Sequence, residues 1–209
     1  MKGETFDKAR VISFSDAVFS IAMTLLVLEV VIPGYKELNS GNILLILQRR
    51  IPSFIGLIVS FMVTALYWVA HMRIMKYVST INKKILRYNI FLLFFIVLLP
   101  FSTAFYVRGF MLKGPFAFYC FNLSAIGFFN YLLNIYIPKK EKGLTGITSV
   151  LAKYFKYRAL IAFIIWVLAG IFAFLLPMFA RLLFLFIFIL EAILVKIYKK
   201  KLISEKTIV

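Results

Sequence analysis

The chain has 209 residues, is 63% hydrophobic and has a mean hydropathy of +0.97. Soluble domains are closer to half apolar, so this composition excludes a soluble domain and indicates an integral membrane protein. The net charge of +17 does not indicate a nucleic-acid partner, because the basic residues lie between long apolar runs and form no single soluble face.

Six segments are long and apolar enough to cross a bilayer, which takes about 20 residues. They are residues 11–32, 53–75, 86–108, 115–137, 159–177 and 179–198. We therefore predict an all-α fold in which residues 1–209 form one six-helix transmembrane domain. Most of the 25 Lys and Arg residues lie near the termini and in the loops after the second and fourth spans. This asymmetry predicts that both termini are cytoplasmic.

Helix-breaking residues delimit the spans. Pro33-Gly34 is expected to end the first helix, and residues 41–48 are expected to form a separate short interfacial helix. Pro100 lies inside the third span and should kink it. Only residues 176–178 separate the fifth and sixth spans, which predicts a tight antiparallel hairpin.

The first span contains an aspartate that a bilayer does not tolerate unaided. A charged Asp near the bilayer centre costs about 2.5–3.5 kcal/mol, so Asp16 needs protein or water partners. On a helical wheel, Ile21, Leu25 and Leu28 share one apolar face. Thr24 lies on the shoulder of that face, whereas Asp16 lies on the opposite side. Asp16 is therefore expected to point toward other helices of its own subunit.

The second span offers polar partners for Asp16. Ser60, Thr64, Trp68 and His71 follow a helical spacing that places them on one face. His71, the only histidine, is either a hydrogen-bonded packing residue or a proton relay. We expect a buried polar cluster that fixes the first helix. Its proposed members are Arg10, Ser15, Asp16, Trp68 and His71.

The start of the first helix resembles a known family. Arg-x-x-x-Phe-Ser-Asp begins at Arg10 and continues as Ala-x-x-x-Ile-x-x-Thr-Leu-x-x-Leu-Glu, similar to the signature of the transmembrane protein 175 family of potassium-permeable channels. This resemblance implies a homotetramer in a prokaryotic cell membrane, with the first helix of each subunit lining a central pore. It also implies that Phe14 and the rest of the Phe-Ser-Asp motif form a network with Trp68 and His71.

The resemblance further assigns residues to the pore. It implies that Ile21, Leu25 and Leu28 form the constriction and that Thr24 contributes to selectivity. Nothing in the sequence resembles the Thr-Val-Gly-Tyr-Gly carbonyl filter, so the predicted gate is a ring of apolar side chains that closes by dewetting. Potassium is the permeating species, and neither a cofactor nor a further metal site is expected. Expected partners are the bilayer and anionic lipids at the cytoplasmic basic loops.

Several alternatives remain open from the residues alone. A secondary or proton-coupled transporter could use Asp16 and His71, although the centre of the first span has no Gly or Pro interruption. An enzyme is not expected, because no nucleophile, phosphate loop or metal-ligand spacing is visible. Glu29 either collects cations at the pore mouth or pairs with Arg49 or Arg50. Glu191 is expected to pair with a basic residue such as Lys196.

Overall fold

Five helical segments in the part of the chain that the structure describes are long and apolar enough to cross a membrane. The structure is a computed structural model and describes residues 4–30, 32–40, 42–142, 144–183 and 185–207, except for the side chains of residues 37, 40 and 199–207. Residues 31 and 184, which fall in the first and sixth predicted spans, lie outside it. The five segments are Lys8–Glu29, Ile43–Met75, Lys83–Arg108, Lys113–Lys140 and Ser149–Leu175.

The first span begins as the helix α1, Lys8–Leu25, and ends as a 3-10 turn, Leu26–Glu29. Asp7 caps α1, because its carboxylate accepts a hydrogen bond from the backbone N–H of Arg10 at 2.8 Å. The prediction of one regular helix to residue 32 was therefore wrong at its end. Leu26 is the first residue of this tighter turn, and its side chain is fully buried in the protein.

The second span is longer than predicted. A short helix, α2, covers Tyr35–Ser40, and α3 then runs without a break through Ile43–Met75. The predicted separate interfacial helix at 41–48 was thus wrong, since those residues from Ile43 onward are the first turns of α3. Pro52 lies inside α3. Transmembrane helices tolerate such a proline when neighbouring groups bond to the carbonyl that loses its helical N–H partner.

The third span is interrupted close to Pro100, as predicted. It divides into α4, Lys83–Val97, and α5, Leu99–Arg108, on either side of Leu98. Proline has no backbone N–H, so it leaves a carbonyl of the preceding turn without its helical partner. The fourth span, α6, covers Lys113–Lys140.

The fifth span, α7, covers Ser149–Leu175 and starts well before the predicted residue 159. The predicted hairpin after it contains a short helix, α8, Pro177–Leu182, which is followed by α9, Leu185–Thr207. Charged residues in α9, among them Glu191 and Lys196, reduce its apolar character. The sixth membrane crossing therefore remains a prediction.

A small antiparallel ribbon departs from the predicted all-α fold. Strand β1, Thr5–Phe6, pairs with β2, Ile81–Asn82. Beside the ribbon, Lys8 Nζ donates a hydrogen bond to the carbonyl of Lys76 at 3.3 Å. The start of α1 is thereby attached to the connection between α3 and α4. Strands of two residues are too short to produce a recognisable alternation in the sequence.

The core is centred on α6, which packs against α4, α5 and α7. Leu123, Ile126 and Leu133 of α6 are fully buried. By contrast, α1 contacts α3, α4 and α5 and lies at the edge of the bundle. This position leaves one face of α1 without cover from its own chain.

Glu141 closes the end of α6 against the α3–α4 connection. Its side chain is fully buried and lies 2.5 Å from Lys140 Nζ, which also donates to the carbonyl of Thr80 at 2.9 Å. Burial by itself would raise the pKa of Glu141, but hydrogen bonds with Lys140 and Ser79 outweigh it and hold that pKa below its ordinary value of 4.5.

We expect Glu141→Gln to lower the free energy of unfolding by about 1–3 kcal/mol at neutral pH, because it removes a charged hydrogen-bond acceptor. A lowered folded-state pKa gives stability that is present above the unfolded-state pKa and is lost as pH falls through the folded-state pKa. Thermal unfolding in detergent should therefore show a lower unfolding temperature for the variant than for the wild type at neutral pH. The difference between the two unfolding temperatures should become smaller at acidic pH. A gap that is constant from pH 7 to pH 3 would contradict this assignment.

Candidate functional site: the two faces of the first helix

One face of α1 is apolar and exposed in the single chain. Ile21 is 59% exposed, Leu25 41% and Leu28 71%. In a 3-10 turn, residues three apart lie above one another, so the turn at Leu26–Glu29 keeps Leu28 above Leu25. The structure therefore leaves the three predicted constriction residues uncovered along a single stripe.

Thr24 lies beside this stripe and is also exposed. Its hydroxyl donates to the carbonyl of Ile21 at 2.8 Å within the same helix. Since the hydroxyl proton is directed to the helix backbone, the oxygen retains lone pairs that can accept a hydrogen bond or coordinate a cation. Thr24 thus presents an oxygen ligand at the shoulder of the apolar stripe.

The opposite face of α1 is anchored to α3 through Asp16. Trp68 Nε1–H donates to Asp16 Oδ1 at 2.9 Å, and both side chains are half-buried. The structure thus brings Asp16 against a helix of its own chain, which is where the wheel directed it. A hydrogen bond to a charged acceptor contributes about 1.5–3 kcal/mol.

A second chain of hydrogen bonds joins α1, α4 and α3. Ser15 Oγ–H donates to the carbonyl of Val11 at 2.8 Å, and Asn89 Nδ2 donates to Ser15 Oγ at 2.9 Å. Asn89 Oδ1 then lies 2.7 Å from His71 Nε2. Because that amide oxygen can only accept, His71 Nε2 carries the hydrogen. The three side chains of this chain, Ser15, Asn89 and His71, are buried.

One member of the predicted polar cluster, Arg10, and one residue of the motif network, Phe14, lie apart from these bonds. Arg10 is exposed, and its bond to Asp7 is made by its backbone N–H. Phe14 is 62% exposed and projects from α1. The expected burial of Arg10 was therefore wrong. Position 10 lies in the first turn of α1, where its long side chain reaches solvent.

The polar stripe of the second span divides between two sites. Trp68 and His71 bond toward α1 and α4, whereas Ser60 lies 3.0 Å from the Tyr119 hydroxyl and accepts from Thr103 Oγ1 at 2.9 Å. Thr64 donates to the carbonyl of Ser60 at 2.6 Å. Ser60 therefore joins α3 to α5 and α6, whereas the Thr64 bond stays within α3, and neither side chain bonds to Asp16.

The acidic residues outside the motif have different surroundings. Glu29 is half-buried at the end of the 3-10 turn. Glu191 pairs with Arg158 across α7 and α9 at 2.6 Å. The basic partner expected for Glu191 is thus present, but Lys196 was the wrong choice, because Arg158 on the neighbouring helix lies at the matching depth.

Asn89 is the anchor residue that sequence reasoning did not assign. Its signal was an amide directly after Arg87 and Tyr88, at the start of an apolar run. In a membrane helix such an amide usually bonds to another helix. The sequence separation of 74 between Asn89 and Ser15 hides the partner until α4 is packed against α1.

We expect Asn89→Ala to lower the free energy of unfolding by about 1–3 kcal/mol, because His71 Nε2 loses its buried partner. Thermal unfolding in detergent measures this change. Ser20→Ala is the matched control, since the exposed Ser20 hydroxyl bonds only to the carbonyl of Asp16 within α1. Equal and small effects of the two substitutions would contradict the role of Asn89.

Long apolar helices, with a first helix anchored on one face and uncovered on the other, define a helical membrane protein. Residues 10–100 match the sequence model of the family described as "Endosomal/lysosomal potassium channel TMEM175". This part of the chain is therefore similar to a family of potassium channels. The matched region contains both faces of α1 and the anchoring residues of α3 and α4.

Characterised relatives are bacterial. The chain is 34% identical to a potassium channel of Streptomyces collinus over 98 residues and 35% identical to one of Chamaesiphon minutus over 101 residues. The matches span 47% and 48% of this chain and about half the length of those relatives, 47% and 50%. A Chryseobacterium potassium channel is 29% identical over 167 residues, which is 79% of this chain and 83% of the relative.

Two solved structures share the fold. A Chamaesiphon minutus homologue of the lysosomal potassium-selective channel TMEM175 superposes with a TM-score of 0.74 at 21% identity, covering 91% of this chain and 97% of that one. A variant of the potassium channel MtTMEM175, in complex with a nanobody–MBP fusion protein, gives a TM-score of 0.61 at 21% identity, covering 98% and 96%.

Proposed function

We propose that the chain forms a homotetrameric channel that passes potassium across a prokaryotic plasma membrane, with both termini in the cytoplasm. The observation that carries this proposal is the uncovered stripe of Ile21, Leu25 and Leu28 on α1. A helix at the edge of the bundle with an apolar stripe and a hydroxyl beside it is suited to line a pore shared between copies. The similarity of residues 10–100 to a potassium-channel family supports the choice of ion.

The gate is a ring of apolar side chains without a carbonyl filter. A narrow apolar ring expels water and stops ions, and it conducts when it widens enough to be wetted. Potassium gives up water more readily than sodium, so a constriction that strips part of the hydration shell favours potassium. Thr24, with lone pairs left free by its bond to Ile21, supplies replacement oxygens from several subunits.

The anchored face holds the gate in position. Asp16–Trp68 joins α1 to α3, and the chain through Ser15 and Asn89 joins it to α4. Two attachments to different helices restrict the rotation of α1 about its axis. The side chains that face the pore are thereby fixed from the opposite side of the same helix.

Ion flux out of proteoliposomes tests this proposal. With an outward potassium gradient, we expect passive potassium flux that exceeds sodium flux and does not require a pH gradient. Thr24→Ala should reduce the potassium-to-sodium ratio, because the constriction loses oxygen ligands, while Ser20→Ala on the neighbouring turn should change it less. Strict coupling to protons would instead support the transporter that uses Asp16 and His71.

A further inference from the structure

A cavity of about 60 Å³ lies among α3, α6, α7 and α9, away from α1. Water needs about 10–15 Å³ of such space, so the cavity has room for a small polar group. Its walls are mostly apolar and aromatic. The polar and charged side chains that line it include Arg73, Asn130, Asn134, Arg158 and Glu191.

The charged groups of this cavity favour an anion. Arg158 and Glu191 form a 2.6 Å ion pair that is largely buried. Arg73 is exposed, and among the described residues its guanidinium has neither an ion pair nor a hydrogen bond. Two arginines and one glutamate leave a net positive charge, and the glutamate is already neutralised. A cation is therefore disfavoured, and Arg73 has a free donor fork for phosphate.

A second donor lies deeper in the same cavity. Trp166 lines it and is only 2% exposed. Its indole N–H lies near the Tyr67 hydroxyl but makes no well-aligned hydrogen bond among the described residues. A buried donor without a well-aligned partner is destabilising, so the N–H favours a ligand with an acceptor oxygen. Trp166 and Arg158 lie eight residues apart on α7, about 12 Å along the axis, so the donors extend from the mouth inward.

The mouth of the cavity lies at the end of the bundle where α1 begins. Arg73 is in the last turn of α3, and Lys8 at the start of α1 bonds to the carbonyl of Lys76 just beyond that turn. Several further basic side chains lie at this end, among them Lys83, Lys84 and Arg87. A basic pocket between transmembrane helices at such an end is typical of a lipid headgroup site.

We propose that this cavity binds an anionic phospholipid from the leaflet at that end, with its phosphate between Arg73 and Arg158 and an ester carbonyl oxygen accepting from Trp166. Phosphate matches the arginine fork and the ester oxygen accepts from the indole N–H, while the acyl chains remain in the bilayer outside the cavity. The site does not depend on conduction by α1.

Quenching of tryptophan fluorescence by brominated lipids tests the proposal, because the chain has two tryptophans, Trp68 and Trp166. The probe is phosphatidylglycerol with brominated acyl chains, titrated into the full-length protein in detergent micelles. Brominated phosphatidylcholine is the control lipid. We expect quenching to saturate with both lipids, but the half-saturating mole fraction should be about fivefold lower for phosphatidylglycerol than for phosphatidylcholine. This difference corresponds to the attraction between one basic side chain and an anionic lipid. Trp166→Phe should remove this saturable component.

Arg73→Gln should raise the half-saturating mole fraction of phosphatidylglycerol about fivefold. Arg87→Gln is the matched control, since Arg87 is an exposed arginine at the same end but outside the cavity. Equal quenching by the two lipids, or an equal response of the two arginine variants, would overturn the proposal. If Arg73→Gln does not fold, the difference between the lipids and its loss in Trp166→Phe decide it. Displacement by inorganic phosphate at equal concentration would assign the site to a free anion instead.

Discussion

Asp16→Ala is expected to abolish potassium flux in proteoliposomes. The substitution removes the acceptor of the Trp68 indole N–H, and that bond is one of the two attachments that orient α1. The loss of about 1.5–3 kcal/mol falls on the helix that carries the proposed gate, so copies should assemble wrongly or not at all. Flux and the size of the detergent-solubilised oligomer measure the two consequences.

Glu4→Gln is the matched control for Asp16→Ala. It also removes one negative charge near the start of α1, but from an exposed ion pair with Lys83, and solvent screening leaves such pairs with little effect on stability. It should therefore leave flux unchanged. Wild-type flux together with wild-type oligomer size in Asp16→Ala would refute the anchor.

Asp16→Asn separates the anchor from a proton carrier. Asparagine retains an acceptor oxygen for Trp68 but cannot titrate. If Asp16 acts as a hydrogen-bonded anchor, the asparagine variant should retain much of the flux that the alanine variant loses. A transporter that protonates Asp16 would lose coupled flux with either substitution.

Ile21→Asn is expected to raise basal potassium flux about tenfold, and Leu25→Asn should act in the same direction. Polar side chains in an apolar constriction keep it wetted, and a barrier lowered by about 1.4 kcal/mol corresponds to a tenfold rate. Flux from proteoliposomes without any stimulus measures the leak. Lower or unchanged flux in both variants would show that these residues do not form the gate.

Ile171→Asn provides the comparison for Ile21→Asn. Ile171 lies on α7 and is 54% exposed, close to the 59% of Ile21. Both substitutions place an amide on an exposed apolar surface and incur a similar insertion penalty. Only the substitution on α1 should raise flux, whereas equal leak from both would point to general damage to the bilayer seal.

These experiments examine opposite faces of one helix. Substitutions on the anchored face should reduce potassium flux, whereas substitutions on the apolar stripe should increase basal flux. This opposition follows from geometry, because Asp16 and Ser15 bond to helices of the same chain while Ile21 and Leu28 remain uncovered. A single common effect of substitutions on both faces would not fit this division.

Parts of the site could be predicted because they depend on residues close together in the chain. An aspartate in an apolar helix requires a partner, and the helical period places it opposite Ile21 and Leu25. The helical spacing of polar residues in the second span also identified Trp68 as a partner, and the resemblance to the family supported that choice. Asn89 could not be assigned in this way, since an amide at the start of an apolar run has several possible neighbours until the helices are packed.

The sequence by itself determined the membrane class, the break near Pro100, the two faces of α1 and five candidate spans, although two of these spans begin ten residues earlier than predicted. Hydropathy and the helical period of apolar residues depend on residues close together in the chain, so both can be recognised without knowledge of the packing. Only the tertiary structure decided the bond from Asn89 to Ser15, the pairing of Glu191 with Arg158, the β1–β2 ribbon and the cavity at Trp166. Each of these depends on the relative depth and rotation of elements far apart in the chain, which local patterns do not encode.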